Sequence, residues 1–119
     1  MAIQKIDFMI MHENDWHGFI TDTIITNDGF GMISVDYYQD KPETGFIHDL
    51  SVIPFARKIG MGNALLKAAI EKAKERNCKK VELNWNSQAS PMWVFEWYER
   101  NGFKEIEFGR YNHLMRKEL

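Results

Sequence analysis

Apolar and polar residues alternate through the first half of the chain, and that period of two predicts strands at about 3–11, 18–26, 30–38 and 45–52. Asn27-Asp28-Gly29 separates the second and third. An Asp-Gly step supplies the positive φ of a tight turn, so these two form a hairpin. Lys41-Pro42-Glu43-Thr44-Gly45 breaks the pattern before the fourth strand, because Pro cannot donate to a ladder and Gly weakens one.

From Gly62 the period becomes helical. Leu65, Leu66, Ala69, Ile70 and Ala73 share one face and Lys67, Glu71, Lys72, Lys74 and Glu75 the other, which describes an amphipathic helix packed on a sheet. It ends near Asn77, a residue that accepts the left-handed conformation, with Lys74 and Arg76 at the negative end of the helix dipole. Val81, Leu83 and Trp85 then alternate with Glu82, Asn84 and Asn86 as a strand. Ser90-Pro91 opens a second helix, Ser as its cap and Pro at its first position, running to about Arg100 and closed by Asn101-Gly102. Two strands follow at about 103–109 and 111–117, parted near Gly109-Arg110. The order is four strands, helix, strand, helix, two strands, and the strand-helix-strand unit in the middle needs a parallel crossover. The fold class is α+β, mixed α/β around one sheet.

Composition narrows the function. A chain of 119 residues with 45% hydrophobic positions supports one core, so residues 1–119 are expected to form a single domain. The net charge is −2 and the basic residues are scattered, which argues against nucleic acid as a partner. No stretch approaches the roughly 20 apolar residues that cross a bilayer, and Lys5 and Asp7 interrupt Met1 to Met11, so neither a membrane span nor a leader is expected. Cys78, the only cysteine, excludes an internal disulfide and suits a reducing, cytoplasmic compartment. The spacing of His12, His17, His48 and His113 is not that of a zinc site, and no metal is expected.

The chemistry gathers where the fourth strand meets the first helix. Val52-Ile53-Pro54-Phe55-Ala56 leads into Arg57-Lys58-Ile59-Gly60-Met61-Gly62-Asn63. Gly60 and Gly62 let backbone N–H groups approach an anion, the opening helix turn adds unpaired donors, and Arg57 and Lys58 add charge at its mouth. Spacing alone fits a pyrophosphate site or a plain glycine turn with two solvated cations. A Walker loop is excluded because no Gly-Lys-Ser/Thr follows, and the three-glycine dinucleotide fingerprint is absent.

Arg57-Lys58-Ile59-Gly60-Met61-Gly62, after Val52-Ile53-Pro54, resembles the hallmark of the GNAT superfamily of N-acetyltransferases, Arg/Gln-x-x-Gly-x-Gly/Ala behind a strand ending in Val-x-Pro. Trp97-Tyr98-Glu99-Arg100-Asn101-Gly102-Phe103 is similar to that family's aromatic-Tyr-x-x-x-Gly-Phe segment, and the likeness covers roughly residues 30–119. It implies a central, mostly antiparallel twisted sheet of about seven strands with two main helices and splayed fourth and fifth strands. It also implies acetyl-CoA as co-substrate, its pantetheine arm along Leu50, Ser51 and Val52 and its pyrophosphate on Arg57, Lys58, Ile59, Gly60, Met61, Gly62 and Asn63. A bound amide arm can complete the ladder of a strand that has lost its neighbour.

Acetyl transfer to an amine needs a neutral nucleophile, a donor to the oxyanion and a proton for the departing thiolate. By the resemblance Tyr98 is the catalytic acid, and a backbone N–H between Leu50 and Val52 the oxyanion donor. For the base, His48, Asp49, Glu43 and His113 stay open, and strand alternation lets at most one of His48 and Asp49 face the acceptor. Trp85, Trp93, Phe95 and Trp97 serve as acceptor wall or as core.

The chain departs from the family pattern in two places. Between its first two strands only Glu13 to Gly18 are available, little more than one helical turn where family members carry two helices. The acceptor side is therefore expected to be open, or closed by a second subunit in a homodimer. Before Tyr98 the family often has an Asn followed by Ala, where this chain has Pro91 and Val94, leaving Asn86 or Ser90 as substitutes. The competing function is a non-catalytic module that binds CoA or a protein partner on the same scaffold.

Overall fold

The computed structural model describes residues 7–15, 18–57 and 60–119, with the side chains of Asn14, Asp15, Phe55 and Arg57 outside that description. Seven strands among these residues form one sheet: β1 (Phe8–Asp15), β2 (Phe19–Thr26), β3 (Gly31–Tyr38), β4 (Thr44–Val52), β5 (Lys80–Asn86), β6 (Lys104–Phe108) and β7 (Asn112–Glu118). Helices α1 (Pro54–Arg57) and α2 (Met61–Glu75) join β4 to β5, and α3 (Met92–Arg100) joins β5 to β6. The sheet order is β1-β2-β3-β4-β5-β7-β6. Every pair is antiparallel except β4 with β5, the parallel crossover expected from the sequence.

The Asp-Gly hairpin forms as read. Asp28 Oδ1 accepts from Thr26 Oγ1 at 2.7 Å and from the Phe30 N–H at 2.9 Å, and Gly29 sits at φ 79°. Asn77 takes φ 65° behind α2, where its N–H reaches the Lys74 carbonyl and that of Cys78 reaches Ala73. These paired bonds satisfy two of the last carbonyls of the helix.

Three boundaries differ from the sequence reading. The first strand, expected at 3–11, spans Phe8–Asp15, because its extent follows from pairing with β2, from Phe8 opposite Thr26 to Asp15 opposite Phe19. Residues 1–6 lie outside the described residues. Glu13, Asn14 and Asp15 are therefore strand, and the link to β2 is shorter than the single helical turn allowed for. Pro54–Arg57, expected as loop, is a helical turn. Ser90 does not cap α3: no side chain caps that helix, Pro91 is its extended boundary residue, and the Ser90 N–H bonds to the Asn86 carbonyl.

Both main helices lie on one face of the sheet. A Cβ on Gly45 would meet Val35, Ala73 and Val81 within 3.4 Å, which places Val35, Gly45 and Val81 beneath α2. Trp85 has the same strand parity as Val81 and packs edge-on against Phe95 of α3, ring centroids 5.2 Å apart. The core between the layers includes Ile24, Ile33, Val35, Ile47, Leu65, Leu66, Ala69, Val81, Leu83, Phe103 and Met115. Ser34, Asp36, Phe46, His48, Glu82 and Asn84 have the opposite parity, on a face that no described helix covers.

Candidate functional site

β4 and β5 pair over three positions, Thr44 with Lys80, Gly45 with Val81 and Phe46 with Glu82, and then part. β5 continues along β7, whereas β4 continues along β3. The register of β3 and β4 shifts between Met32 opposite Ser51 and Ser34 opposite His48, so β4 carries one extra residue, and Asp49 within it takes φ 55°. A bulge bends its strand and increases the local twist, which turns the end of β4 away from β5.

That parting opens a cavity of about 750 Å³ on the helix face. One wall is Leu50, Ser51 and Val52 of β4; another is Gly60, Gly62 and Asn63 at the start of α2. Ser90, Trp93, Val94, Trp97 and Tyr98 close the third side. Three stretches separated in sequence thus meet, and seven of the residues read as cofactor-binding or catalytic line one space.

The start of α2 has donors to offer. Gly60 is its boundary residue at φ 81°, no side chain caps it, and no acidic residue stands in its first turn. The first N–H groups of such a helix have no intrahelical acceptor. No charged side chain lines this cavity among the described residues, so nothing there repels an anion. Gly62 lies close to the Trp97 ring, 3.7 Å from where a Cβ would stand.

The remaining candidates separate by position. The side chain of Met61 is core at 1% exposure, so only its backbone can face the cavity. The Asn63 side chain is engaged, its Oδ1 accepting from Trp97 Nε1 at 2.8 Å. Lys58, Ile59 and the side chain of Arg57 lie outside the described residues. Asn86 holds the turn after β5, its Oδ1 accepting from the N–H groups of Gln88 and Ala89.

Tyr98 is buried with its ring against Trp97 and Phe103. Burial pushes its phenol above the ordinary tyrosine value, which keeps the proton on through neutral pH.

The four candidate bases are dispersed. Glu43 pairs with Lys79 at the closed end of the β4–β5 seam. His113 lies on the helix face against Trp85 and Phe95 and pairs with Glu105. His48 and Asp49 sit on the bulge itself, His48 Nδ1 2.9 Å from Asp49 Oδ2. Simple alternation, which separates neighbouring side chains, therefore fails here, because the positive φ of Asp49 brings its carboxylate beside His48.

The aromatic cluster divides as well. Trp85 and Phe95 are packed with His113, whereas Trp93 and Trp97, four apart on α3, wall the cavity beside β4 and α2. The i, i+4 spacing of Trp93 and Trp97 is the available signal, but only the packing of α3 on α2 says which space they face.

A seven-stranded sheet parted between two parallel strands, with a helix start aimed at the parting, is the scaffold of the N-acyltransferases. The Acetyltransferase (GNAT) family profile matches residues 4–103, and the chain belongs to that family. An uncharacterized N-acetyltransferase of Methanocaldococcus jannaschii is 41% identical over 68 residues, 57% of this chain and 29% of that protein. Among solved structures, the PaiA N-acetyltransferase of Thermoplasma acidophilum in complex with coenzyme A superposes with a TM-score of 0.70 at 19% identity, over 86% of this chain and 62% of that one. An IAA acetyltransferase of Bacillus cereus gives 0.70 at 20% identity, over 83% of this chain and 78% of that one. These two share the fold.

Proposed function

We propose that the chain transfers an acetyl group from acetyl-CoA to an amine within a ternary complex. The observation that carries this reading is the uncapped start of α2 at Gly60, opening into the same cavity as the β4 edge that β5 has left. The residues fit the co-substrate: donors and a positive dipole end without an acidic neighbour suit a pyrophosphate, and a strand edge from which β5 has parted suits an amide arm. A volume of about 750 Å³ suits a ligand of that size.

When bound there, acetyl-CoA supplies an activated thioester. Met61, Gly62 and Asn63 offer backbone N–H groups to the pyrophosphate, joined by Arg57 and Lys58. Leu50, Ser51 and Val52 align the pantetheine arm, and a backbone N–H among them donates to the carbonyl oxygen under attack. Tyr98 gives its proton to the departing thiolate.

Isothermal titration with acetyl-CoA tests the cofactor, and a thiol-release assay over an amine panel tests transfer. Saturable binding with amine-dependent CoA release is expected. No binding at millimolar acetyl-CoA would overturn the reading, and binding without transfer to any amine would favour the non-catalytic module.

A further inference from the structure

We propose that Asp36, His48 and Asp49 form the proton relay of the transfer reaction, and that the acceptor amine reaches it as an ammonium from the sheet face opposite the helices. This rests on the acetyl transfer proposed above and names its missing base.

The three groups meet where the strands part. His48 Nδ1 lies 2.9 Å from Asp49 Oδ2, and His48 Nε2 lies 2.9 Å from Asp36 Oδ1, off the hydrogen-bonding direction. Asp36 is buried and accepts from Thr21 Oγ1 at 2.7 Å, which fixes it, whereas the Asp49 side chain is 67% exposed. The relay thus has a buried end and an open end. Its open end adjoins Leu50 and Ser51 in the chain, the residues that line the helix-face cavity.

The uncovered face supplies the approach. A second cavity, of about 800 Å³, lies there along the β4–β5 seam, with Tyr38 and Phe46 as apolar walls and Glu82 and Asn84 on β5. Lys41 is its one lining cation among the described residues, Arg116 neutralises Glu82 at 2.6 Å and Glu107 adds a second lining carboxylate. The negative charge continues on the same face just past Phe46, where Asp36 and Asp49 flank the His48 imidazole. The two faces therefore differ in sign: an anion-tolerant cavity with no charged lining on one, paired carboxylates on the other. A slender primary aliphatic ammonium suits the second, lying against aromatic walls and pointing its charge at Asp49.

The step balances as follows. With the hydrogen of the neutral imidazole on Nε2, one proton fits between His48 Nδ1 and Asp49 Oδ2, and the ammonium delivers it through Asp49. The freed amine lone pair forms the C–N bond to the acetyl carbon as the C–S bond breaks. The thiolate takes the Tyr98 proton, the second nitrogen proton restores Tyr98 through water, and His48 releases its proton to solvent.

The test uses 1,4-diaminobutane and N-acetyl-lysine amide as primary ammonium acceptors, and 2,2,2-trifluoroethylamine as an acceptor already neutral at weakly alkaline pH. His48→Gln is expected to lower kcat for the two ammonium acceptors by about 100-fold, yet to lower it less than 10-fold for the neutral amine, with acetyl-CoA binding unchanged by calorimetry. Asp49→Asn should raise KM for the ammonium acceptors about 10-fold while sparing KM for acetyl-CoA, and Asp49→Glu should restore part of it. Equal losses of His48→Gln on charged and neutral amines would overturn the relay. So would turnover of neither ammonium acceptor by a wild type that binds acetyl-CoA, whereas failure to bind acetyl-CoA would strike the proposed function itself.

Discussion

Trp97 Nε1 donates to Asn63 Oδ1 at 2.8 Å, tying the middle of α3 to the first turn of α2 across the mouth of the helix-face cavity. The bond sets the width of that mouth, because the same indole ring lies against Gly62. Trp97→Phe keeps most of the apolar contact and deletes the donor. It should cost about 1 kcal/mol in urea unfolding and weaken acetyl-CoA binding several-fold by calorimetry.

Gly62 separates the site from the fold. A side chain there meets only ordinary contact with Trp97, and an acid in the first turn of α2 favours the helix. Gly62→Asp should therefore leave the melting temperature unchanged or raised while acetyl-CoA affinity drops by at least about 30-fold, as the carboxylate occupies and repels the anion site. Gly60 is the contrasting case, since at φ 81° any β-carbon is strained. Gly60→Ala should cost roughly 1–2 kcal/mol, with Gly60→Asn costing less.

Tyr98→Phe removes one hydroxyl and leaves the ring packed on Phe103. A kcat loss of about 10–100-fold at unchanged KM for acetyl-CoA is expected. Because burial raises the phenol's pKa, the acid form persists as pH climbs past the usual tyrosine range of about 10. Wild-type kcat should fall only above that pH, and the variant should lack this alkaline limb. Unchanged turnover would reduce Tyr98 to packing.

Stability at the far end of α2 depends on Asp22, which is fully buried and held by Arg76 at 2.6 and 2.7 Å, with His12 against it. Burial alone would raise its pKa, but the bonds from Arg76 and His12 outweigh it and hold the carboxyl below its ordinary value. A carboxylate depressed in the folded state contributes stability above its unfolded pKa of about 3.9, lost as pH falls through the folded value. Arg76→Ala removes the larger of the two opposing partners, leaving His12, and should cost about 3 kcal/mol at pH 7 by urea titration. Asp22 in that variant carries a higher pKa than in the wild type, so the deficit should shrink as pH is lowered toward 4.

The elements were legible in the chain because each rests on local chemistry. Asp28-Gly29 has the φ its turn needs, Asn77 and Gly102 take the left-handed conformation behind their helices, and the Leu65-to-Ala73 stripe faces the sheet. The start of α3 differs in detail: Ser90 looks like a cap in sequence, yet no side chain caps that helix, and the Ser90 N–H donates to the Asn86 carbonyl. The end of β1 was missed because His12-Glu13-Asn14-Asp15 has no apolar period and is strand only through its ladder to β2.

By itself the sequence determined the elements of the proposed donor half of the site: the glycines of the loop, the strand before it, the helix after it and the tyrosine beyond. These depend on neighbours within a few residues. Only the tertiary structure decided which aromatic rings wall that cavity, which of four candidate bases stand at the parting of β4 and β5, and that His48 and Asp49 share one side of their strand. Those outcomes rest on a one-residue bulge and on contacts between segments far apart in the chain, and periodicity carries no record of either.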